Sequence, residues 1–200
     1  FAPSSRVGTP DDLKQLIRTA HANGIAVVMD LVHAHYVANT TEGLNMIDGD
    51  ENLYSPKESE NIHPYWKTKL FDYSDINVQR FLLSNIRYWM EEYHIDGFRF
   101  DGVTSMIYKH HGYVDDFGTY DNYFGKCVNE DAITYLTLAN DLIHSLRPDA
   151  VTIAEEVSGM PGMARPIADG GVGFDYRMAM ALPDYWIKLL KDQRDEQWSM

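Results

Sequence analysis

The sequence predicts an α/β protein in which parallel strands alternate with helices and long insertions follow the strands. Three amphipathic helical patterns are each followed, after a short break, by a brief run of mainly apolar residues. This alternation is typical of a parallel sheet with helical crossovers. Two polar stretches, residues 36 to 75 and 105 to 129, break the rhythm directly after predicted strands. Function should concentrate there, because loops at the carboxyl ends of parallel strands commonly build the site.

The first unit opens with the signals of a well-capped helix. Thr9 is a good N-cap, Pro10 suits the first helical position, and Gly24 suits the C-terminal end. The next run, Ile25 to Leu31, is mainly apolar with almost no alternation. It therefore predicts a buried parallel strand.

The second unit is a helix whose apolar stripe runs from Val78 to Tyr93 and includes Trp89. Gly97 separates this helix from a short strand over Phe98 to Asp101. Because the stripe has helical spacing, we expect Trp89 and Tyr93 to lie in the core.

The third unit is a helix over Ile133 to Leu146, followed by a strand over Val151 to Glu155. A further strand is predicted over Phe174 to Leu182, and the helical pattern after it predicts core positions for Tyr185 and Trp186. No internal repeat or linker divides the sequence. We therefore expect residues 1 to 200 to belong to one domain.

Composition and charge exclude several classes of protein. Hydrophobic residues make up 44% of the 200 positions, so the chain can bury a core. The net charge of −13 argues against sequence-independent binding to nucleic acid or to an anionic membrane. Cys127 is the only cysteine, which excludes an intrachain disulfide and favours a reducing compartment. The chain begins at Phe1 and ends without a stop signal, so we expect an internal part of a longer protein.

Three predicted strands end in carboxylates: Asp30, Asp101 and Glu155. Since side chains alternate across a strand, Arg99 shares a face with Asp101, and Glu156 points away from the face of Glu155. Arg99 could pair with Asp30 or with Asp101. Taken singly, an acid at a strand end is most often a solvated loop residue or a helix cap. Three such acids beside one arginine favour a site, because unpaired charge is costly to bury.

Histidines near these acids raise the question of a metal, and we expect none. His33 and His35 would share a face of a strand that excludes Asp30, while the adjacent His110 and His111 point apart. A hydrogen bond from His35 to a substrate is the functional interpretation, and capping of a loop is the alternative.

Aromatic residues are concentrated in the two insertions. Sugar rings present flat C–H faces that pack on aromatic rings, so a carbohydrate groove is one interpretation and ordinary loop packing is the other. The aromatic residues concerned are Tyr65, Trp66, Phe71, Tyr73, Tyr108, Tyr113, Tyr120 and Tyr123.

Three segments, residues 30–35, 97–103 and 152–156, resemble in order and spacing the signature regions of the α-amylase superfamily. More narrowly, the sequence is similar to eukaryotic-type 1,4-α-glucan branching enzymes. The segments that carry this closer resemblance are residues 43–46, 80–85, 100–106, 157–161 and 173–177.

The resemblance implies part of a TIM (β/α)₈ barrel: a partial catalytic domain over residues 1 to 200, truncated at both ends, with an inserted loop region over 36 to 75. It also assigns roles. Asp101 would be the nucleophile and Glu155 the general acid and base. The substrate-binding residues would be His35, Arg99, Asp30 and Arg80.

The family's third carboxylate lies in a later His-Asp motif that this chain lacks, so the chain should be inactive alone. Ala34 occupies the place of a calcium-binding Asn in many amylases, which implies no calcium there. Two departures put glucan contacts in the insertions in doubt: Lys67 to Lys69 follow Trp66 where the family has Asp-Ser-Arg, and Lys109 precedes two histidines where the family has a third.

The implied function is a glycosyltransferase that cleaves α-1,4-glucan by a retaining double displacement and makes α-1,6 branches in glycogen or starch. The alternatives are an α-glucan hydrolase of the amylase type and a non-catalytic glucan-binding domain. The expected partner is an α-1,4-glucan (amylose, amylopectin or glycogen), with no cofactor, nucleic acid or membrane. We expect a monomer in the cytoplasm, with the plastid as the alternative compartment.

Overall fold

A computed structural model describes residues 1–41, 43–57, 61–113 and 117–198. The strands are β1 (Val28–Leu31), β2 (His35–Tyr36), β3 (Lys69–Leu70), β4 (Gly97–Phe100), β5 (Val151–Ala154) and β6 (Tyr176–Arg177). The α-helices are α1 (Pro10–Ala22), α2 (Ile76–Tyr93), α3 (Val103–Ile107), α4 (Tyr120–Phe124), α5 (Glu130–Leu146) and α6 (Ala181–Asp192), and 3₁₀ turns occur at Ile167–Asp169 and Asp195–Gln197.

A four-stranded parallel sheet organises these elements in the order β1-β4-β5-β6. The three longer strands, β1, β4 and β5, are paired over all four of their residues without an offset. Asp30 lies opposite Arg99, which lies opposite Ile153, and the last residues of β1, β4 and β5 are likewise aligned. The carboxyl ends of these strands therefore meet at one edge of the sheet.

Helices cover one face of this sheet, and their starts follow the local sequence. α1 begins with a capping box in which the Thr9 hydroxyl accepts from the Asp12 N–H at 3.2 Å and the Thr9 N–H donates to the Asp12 carboxylate at 2.8 Å. α2 and α5 begin at the side-chain caps Asp75 and Asn129. The helices predicted before β1, β4 and β5 are thus confirmed.

The core lies between the sheet and helices α2 and α5. Trp89 and Tyr93 are buried in it, as their spacing predicts. Its fully buried side chains include Leu82, Ile86, Phe98, Phe100, Tyr135, Leu136 and Ile143.

Two strand predictions are corrected. β1 begins at Val28 rather than Ile25, and Val28 is 44% exposed, because β1 pairs only with β4 and lies at the edge of the described sheet. The segment predicted as a strand over Phe174 to Leu182 contributes only Tyr176 and Arg177, and α6 begins within it.

The predicted core positions of Tyr185 and Trp186 are wrong, since these side chains are 58% and 47% exposed. Their apolar spacing is that of an amphipathic helix, but no described side chain of α6 is buried, so periodicity alone did not reveal whether this face is covered.

The two insertions contain short elements of their own. The antiparallel pair of β2 with β3 lies in the first, of which residues 42 and 58–60 fall outside the described part of the chain. The second includes α4, and residues 114–116 of it are likewise outside. Among the described residues, no helix is both long and apolar enough to cross a membrane.

Candidate active site

One guanidinium lies among all three predicted carboxylates. Arg99 Nη1 is 2.6 Å from Asp30 Oδ1 and 2.6 Å from Asp101 Oδ1, and its Nη2 is 3.0 Å from Glu155 Oε1. Both Asp30 and Asp101 were predicted as possible partners, and the structure pairs Arg99 with both and adds Glu155. This set, Asp30, Arg99, Asp101 and Glu155, is called the acidic cluster below.

Strand register explains how residues distant in sequence meet in the acidic cluster. The ladder continues one residue past the strands, since the Asp101 N–H donates to the Leu31 carbonyl at 3.1 Å and the Glu155 N–H to the Phe100 carbonyl at 3.0 Å. Asp101 and Glu155 are therefore held side by side on the face that also carries Arg99. Each is about a quarter exposed, so the cluster opens to solvent.

Electrostatics within the cluster favour a permanently charged arginine. Burial alone would lower the pKa of Arg99, but its hydrogen bonds with Asp30 and Asp101 and the nearby charge of Glu155 raise it overall. Its Nε also lies 3.5 Å from the Met178 sulfur. Three acids nevertheless share one cation, so the cluster keeps excess negative charge.

Gly102 holds the Glu155 carboxylate through the oxygen that Arg99 does not contact. Its N–H donates to Glu155 Oε2 at 2.8 Å, and its φ of +63° is a conformation that favours glycine. A Cβ at this position would lie 3.2 Å from the Ala34 Cβ. The requirement for glycine beside Asp101 is therefore both conformational and steric.

His35 lies at the edge of the acidic cluster, with its Nε2 4.0 Å from Asp101 Oδ2. Burial lowers its pKa, and the charge of Asp101 opposes that shift only in part. A lowered pKa favours the neutral imidazole at neutral pH, which can donate one hydrogen bond to a ligand.

His33 does not share the environment of His35, contrary to expectation. It is buried, with its Nδ1 2.6 Å from the Tyr135 hydroxyl and its Nε2 3.2 Å from Asn85 Oδ1. Burial lowers its pKa to about 3. The reason is that β1 ends at Leu31, so the two histidines do not lie on one continuous strand.

An aromatic wall stands beside His35. The Trp66 ring is 4.9 Å from that of His35 and stacks at 3.9 Å on His63, and Tyr65 lies 4.0 Å from Tyr113 of the other insertion. Tyr65, Trp66 and Tyr113 are each more than 40% exposed. These three side chains, named here the aromatic wall, bring the two insertions together.

His63 is the buried residue on which Trp66 of the aromatic wall stacks. Its Nδ1 accepts from the Trp66 N–H at 3.0 Å, and its buried Nε2 has no hydrogen-bond partner among the described residues. Burial, followed by the charges of His111 and His35, lowers its pKa to about 4. The pattern of the sequence did not single out His63, because its role depends on stacking across the fold.

The other residues predicted to lie at the site differ in how far their side chains are exposed. Phe71, Tyr73 and Tyr108 are buried, so the packing interpretation holds for these three. Arg80 is exposed on α2 and makes no contact with the acidic cluster. Glu156 points away from Glu155 into the protein, as strand alternation predicts, and is only 1% exposed.

A cleft of about 490 Å³ lies between the two insertions, but its lining contains none of the acidic cluster. It is bounded by Ala34, Tyr73, Ser105 and Lys109 among others. Across residues 1–41, 43–57, 61–113 and 117–198, no group of three or more His, Cys, Asp or Glu side chains has an arrangement that could hold a metal ion.

Sequence comparison gives these residues a context. Across its entire length the chain is similar to 1,4-α-glucan-branching enzymes from Equus caballus (57% identical), Emericella nidulans (54%) and Solanum tuberosum (53%). The chain matches a segment of 1,4-α-glucan-branching enzymes over its whole length. It spans 29% of the length of the first two relatives and 24% of the third. No family model matches it.

Solved structures show that the chain has the fold of α-amylases. A maltogenic α-amylase from Thermotoga neapolitana superposes with a TM-score of 0.60 at 18% identity, over 94% of this chain and 36% of that one. The Geobacillus thermoleovorans α-amylase complexed with acarbose gives 0.57 at 19% identity, over 90% of this chain and 36% of that one. The prediction of a partial (β/α)₈ barrel is confirmed.

Proposed function

We propose that this chain is the part of a glucan-branching enzyme's catalytic barrel that carries the nucleophile Asp101 and the general acid and base Glu155. One observation carries the proposal: Arg99 contacts both carboxylates through separate nitrogens, at the carboxyl ends of neighbouring parallel strands. That end of a barrel is where catalytic groups lie in enzymes of this fold.

In the first step, Asp101 attacks the anomeric carbon of an α-1,4 linkage while Glu155 donates a proton to the departing oxygen. The C–O bond to the leaving chain breaks and a covalent glycosyl ester forms. Retaining enzymes hold their two carboxyl groups about 5 Å apart, and a larger gap leaves room for water. Asp101 and Glu155 both contact the Arg99 guanidinium, which is consistent with the shorter distance of a retaining enzyme.

In the second step, the ionised Glu155 removes the proton from the 6-hydroxyl of another glucan chain. The resulting oxygen attacks the ester carbon, Asp101 leaves, and an α-1,6 branch forms with net retention. Water in place of the hydroxyl would give hydrolysis. The identity of 53–57% with branching enzymes supports transfer over hydrolysis.

The surrounding residues have supporting roles in this proposal. Arg99 holds Asp101 and Glu155 in register, His35 donates to a sugar hydroxyl, and Asp30 completes the binding set. The aromatic wall supplies flat surfaces for sugar rings, which aromatic side chains bind through their faces. Arg80, exposed on α2, would contact glucan away from the cluster.

The proposed partner is an α-1,4-glucan such as amylose, amylopectin or glycogen, with no cofactor. We further propose a monomer in the cytoplasm, or in the plastid of a plant-type cell. Residues 1 to 200 would form one partial catalytic domain, with 36 to 75 as an inserted region. Because the chain spans 29% of the length of the first relatives it matches, activity is tested on the complete protein.

The test follows amylose by iodine staining and by release of reducing ends. A branching enzyme lowers the iodine absorbance without a matching rise in reducing ends, and debranching of the product restores linear chains. Reducing ends that rise in step with the loss of staining would replace transfer by hydrolysis. Asp101→Asn and Glu155→Gln should each abolish the reaction, whereas full activity in Asp101→Asn would reject the proposed chemistry.

A further inference from the structure

A second carboxylate, Glu156, is buried directly behind the proposed acid and base. Its side chain leaves the sheet on the opposite face from Glu155 and is fully enclosed. A buried carboxylate is costly unless several donors satisfy it. The identity and position of its donors show what this charge does.

Five donor groups besides an arginine point at Glu156. The Ser158, Gly159 and Met160 N–H groups lie 2.7, 3.0 and 3.1 Å from its oxygens, and the Ser158 hydroxyl also donates to it. The Thr104 hydroxyl donates at 3.2 Å. The carboxylate therefore shapes the loop that leaves β5 immediately after Glu155.

Thr104 extends the network to the segment that carries Asp101. Its hydroxyl donates to Glu156 and accepts from the Val157 N–H at 2.8 Å. Thr104 belongs to α3, which begins right after Asp101 and Gly102, and the Val103 N–H donates to the Glu155 carbonyl at 3.0 Å. The backbones that bear the two proposed catalytic carboxylates are thus joined through Glu156.

Arg177 of β6 contacts the same carboxylate, with 3.4 Å between its Nη1 and Glu156 Oε2. The network consequently reaches from α3 through the end of β5 to the next strand. None of its members touches the acidic cluster directly through a side chain in the described structure. The network can therefore affect the chemistry only by holding the backbone on either side of Glu155 in place.

We propose that Glu156 is a positioning residue that holds Glu155 in the orientation needed to protonate the leaving oxygen. The inference rests on the proposed function, since it assumes that Glu155 is the acid. A displacement of about 1 Å at a catalytic group can cost on the order of 10²-fold in rate. The loss should therefore appear in the step that needs proton donation.

The test compares two donors in the complete protein: amylose, whose leaving oxygen needs a proton, and an α-maltosyl fluoride, whose fluoride leaves without one. Glycosylation of the enzyme is measured from the initial burst of fluoride released by α-maltosyl fluoride. With amylose, it is measured from chain cleavage in a single turnover. Glu156→Gln removes the charge but keeps the shape. We expect cleavage of amylose to fall by on the order of 10²-fold while the fluoride burst changes little.

Matched variants separate positioning from stability. Glu156→Asp keeps the charge and should recover part of the amylose activity. Thr104→Val removes the connecting hydroxyl and should show the same selectivity as Glu156→Gln, with a smaller loss. Asp96→Asn, which changes a carboxylate at the opposite end of the sheet, should leave both rates per folded molecule unchanged.

Equal losses on both donors, or no loss on either, would overturn the positioning role. If Glu156→Gln does not fold, Thr104→Val decides by the same ratio of rates. Glu155→Gln serves as the reference, because it should show the largest selectivity of all. Should Glu155→Gln affect both donors equally, the proposed function fails, and the positioning role fails with it.

Discussion

Each end of the parallel sheet contains a charged cluster, and the two clusters differ in how many donor groups each carboxylate has. At the carboxyl end, three carboxylates share Arg99. At the amino end, the single carboxylate of Asp96 contacts Arg147 Nη2 at 2.7 Å and His21 Nε2 at 2.8 Å, and it accepts from the Val27 N–H at 2.5 Å. At the carboxyl end three acids share one cation, whereas at the amino end three donor groups surround the one carboxylate of Asp96, although Arg147 also contacts Asp149.

The difference separates a cluster that acts within the fold from the cluster that we propose carries the chemistry. Asp96, directly before β4, contacts α1, the residue before β1 and the residue after α5, and it uses its charge within the protein. The acidic cluster instead retains unneutralised carboxylates that remain accessible to solvent. In barrels, the amino end commonly serves stability and the carboxyl end chemistry. Variants at the two ends should therefore have separable effects.

Removal of the shared cation should have the largest effect. Arg99→Leu leaves three neighbouring carboxylates without a cation, so we expect branching to fall by on the order of 10³-fold. The free energy of unfolding should fall by about 2 kcal/mol, less than for a fully buried pair because solvent screens these groups. Iodine assays and urea unfolding measure the two quantities.

Arg99→Lys is the control for charge. It keeps the cation but cannot contact Asp101 and Glu155 through separate nitrogens of a planar group. Stability should largely return while the rate stays low. A wild-type rate in Arg99→Lys would show that neutralisation alone, rather than geometry, is what Arg99 contributes.

The opposite pattern is expected at the amino end. Asp96→Asn should lower the free energy of unfolding by about 1–2 kcal/mol, because Arg147 loses the nearer of its two carboxylate partners and keeps only Asp149. The rate per folded molecule should not change. A fall in kcat equal to that of an acidic-cluster variant would break the distinction between the two ends.

The amino end also predicts a pH dependence of stability. Burial raises the pKa of Asp96, but the Val27 N–H, His21 and Arg147 outweigh it, so the pKa is lowered overall. A lowered folded-state pKa gives stabilisation that is complete above the unfolded value of about 4 and is lost as pH falls through the folded value. Urea midpoints from pH 6 to pH 2 should therefore fall less steeply in Asp96→Asn than in the unmodified protein.

Loss of one ring from the aromatic wall should have an intermediate effect. Trp66→Ala removes the surface between His35 and His63, so the KM for amylose should rise by about fivefold, equivalent to about 1 kcal/mol of aromatic contact. Trp66→Phe is the matched control and should lie closer to the unmodified protein. An unchanged KM in Trp66→Ala would restrict the carboxyl-end site to the acidic cluster.

Arg80 should give the smallest effect. This exposed side chain lies outside both clusters, and a single exposed charge contributes less than about 1 kcal/mol. Arg80→Ala should raise the KM for amylose about twofold without changing kcat. A larger rise, absent in Arg87→Ala on the same helix, would extend the glucan path over α2.

Much of the fold could be predicted because its signals are local. The caps at Thr9 and the apolar stripe ending at Tyr93 each depend on neighbours within a few residues, and both predictions are confirmed. Besides the two corrected strand bounds, the failures concern burial. Tyr185 and Trp186 have a core-like spacing, yet their exposure depends on whether another element covers α6.

The sequence alone determined that Asp30, Asp101 and Glu155 lie within one residue of the carboxyl ends of three parallel strands, because side-chain alternation and strand ends are short-range properties. Its motifs also indicated the similarity to branching enzymes. Only the tertiary structure decided that one guanidinium spans all three acids, that Asp96 gathers donors from three other segments, and that Glu156 links α3 to β5. Apart from Arg99 with Asp101, these pairings join residues 50 or more positions apart, such as Asp30 with Arg99 at a separation of 69 and Thr104 with Glu156 at 52. They depend on strand register and helix docking, which no local pattern encodes.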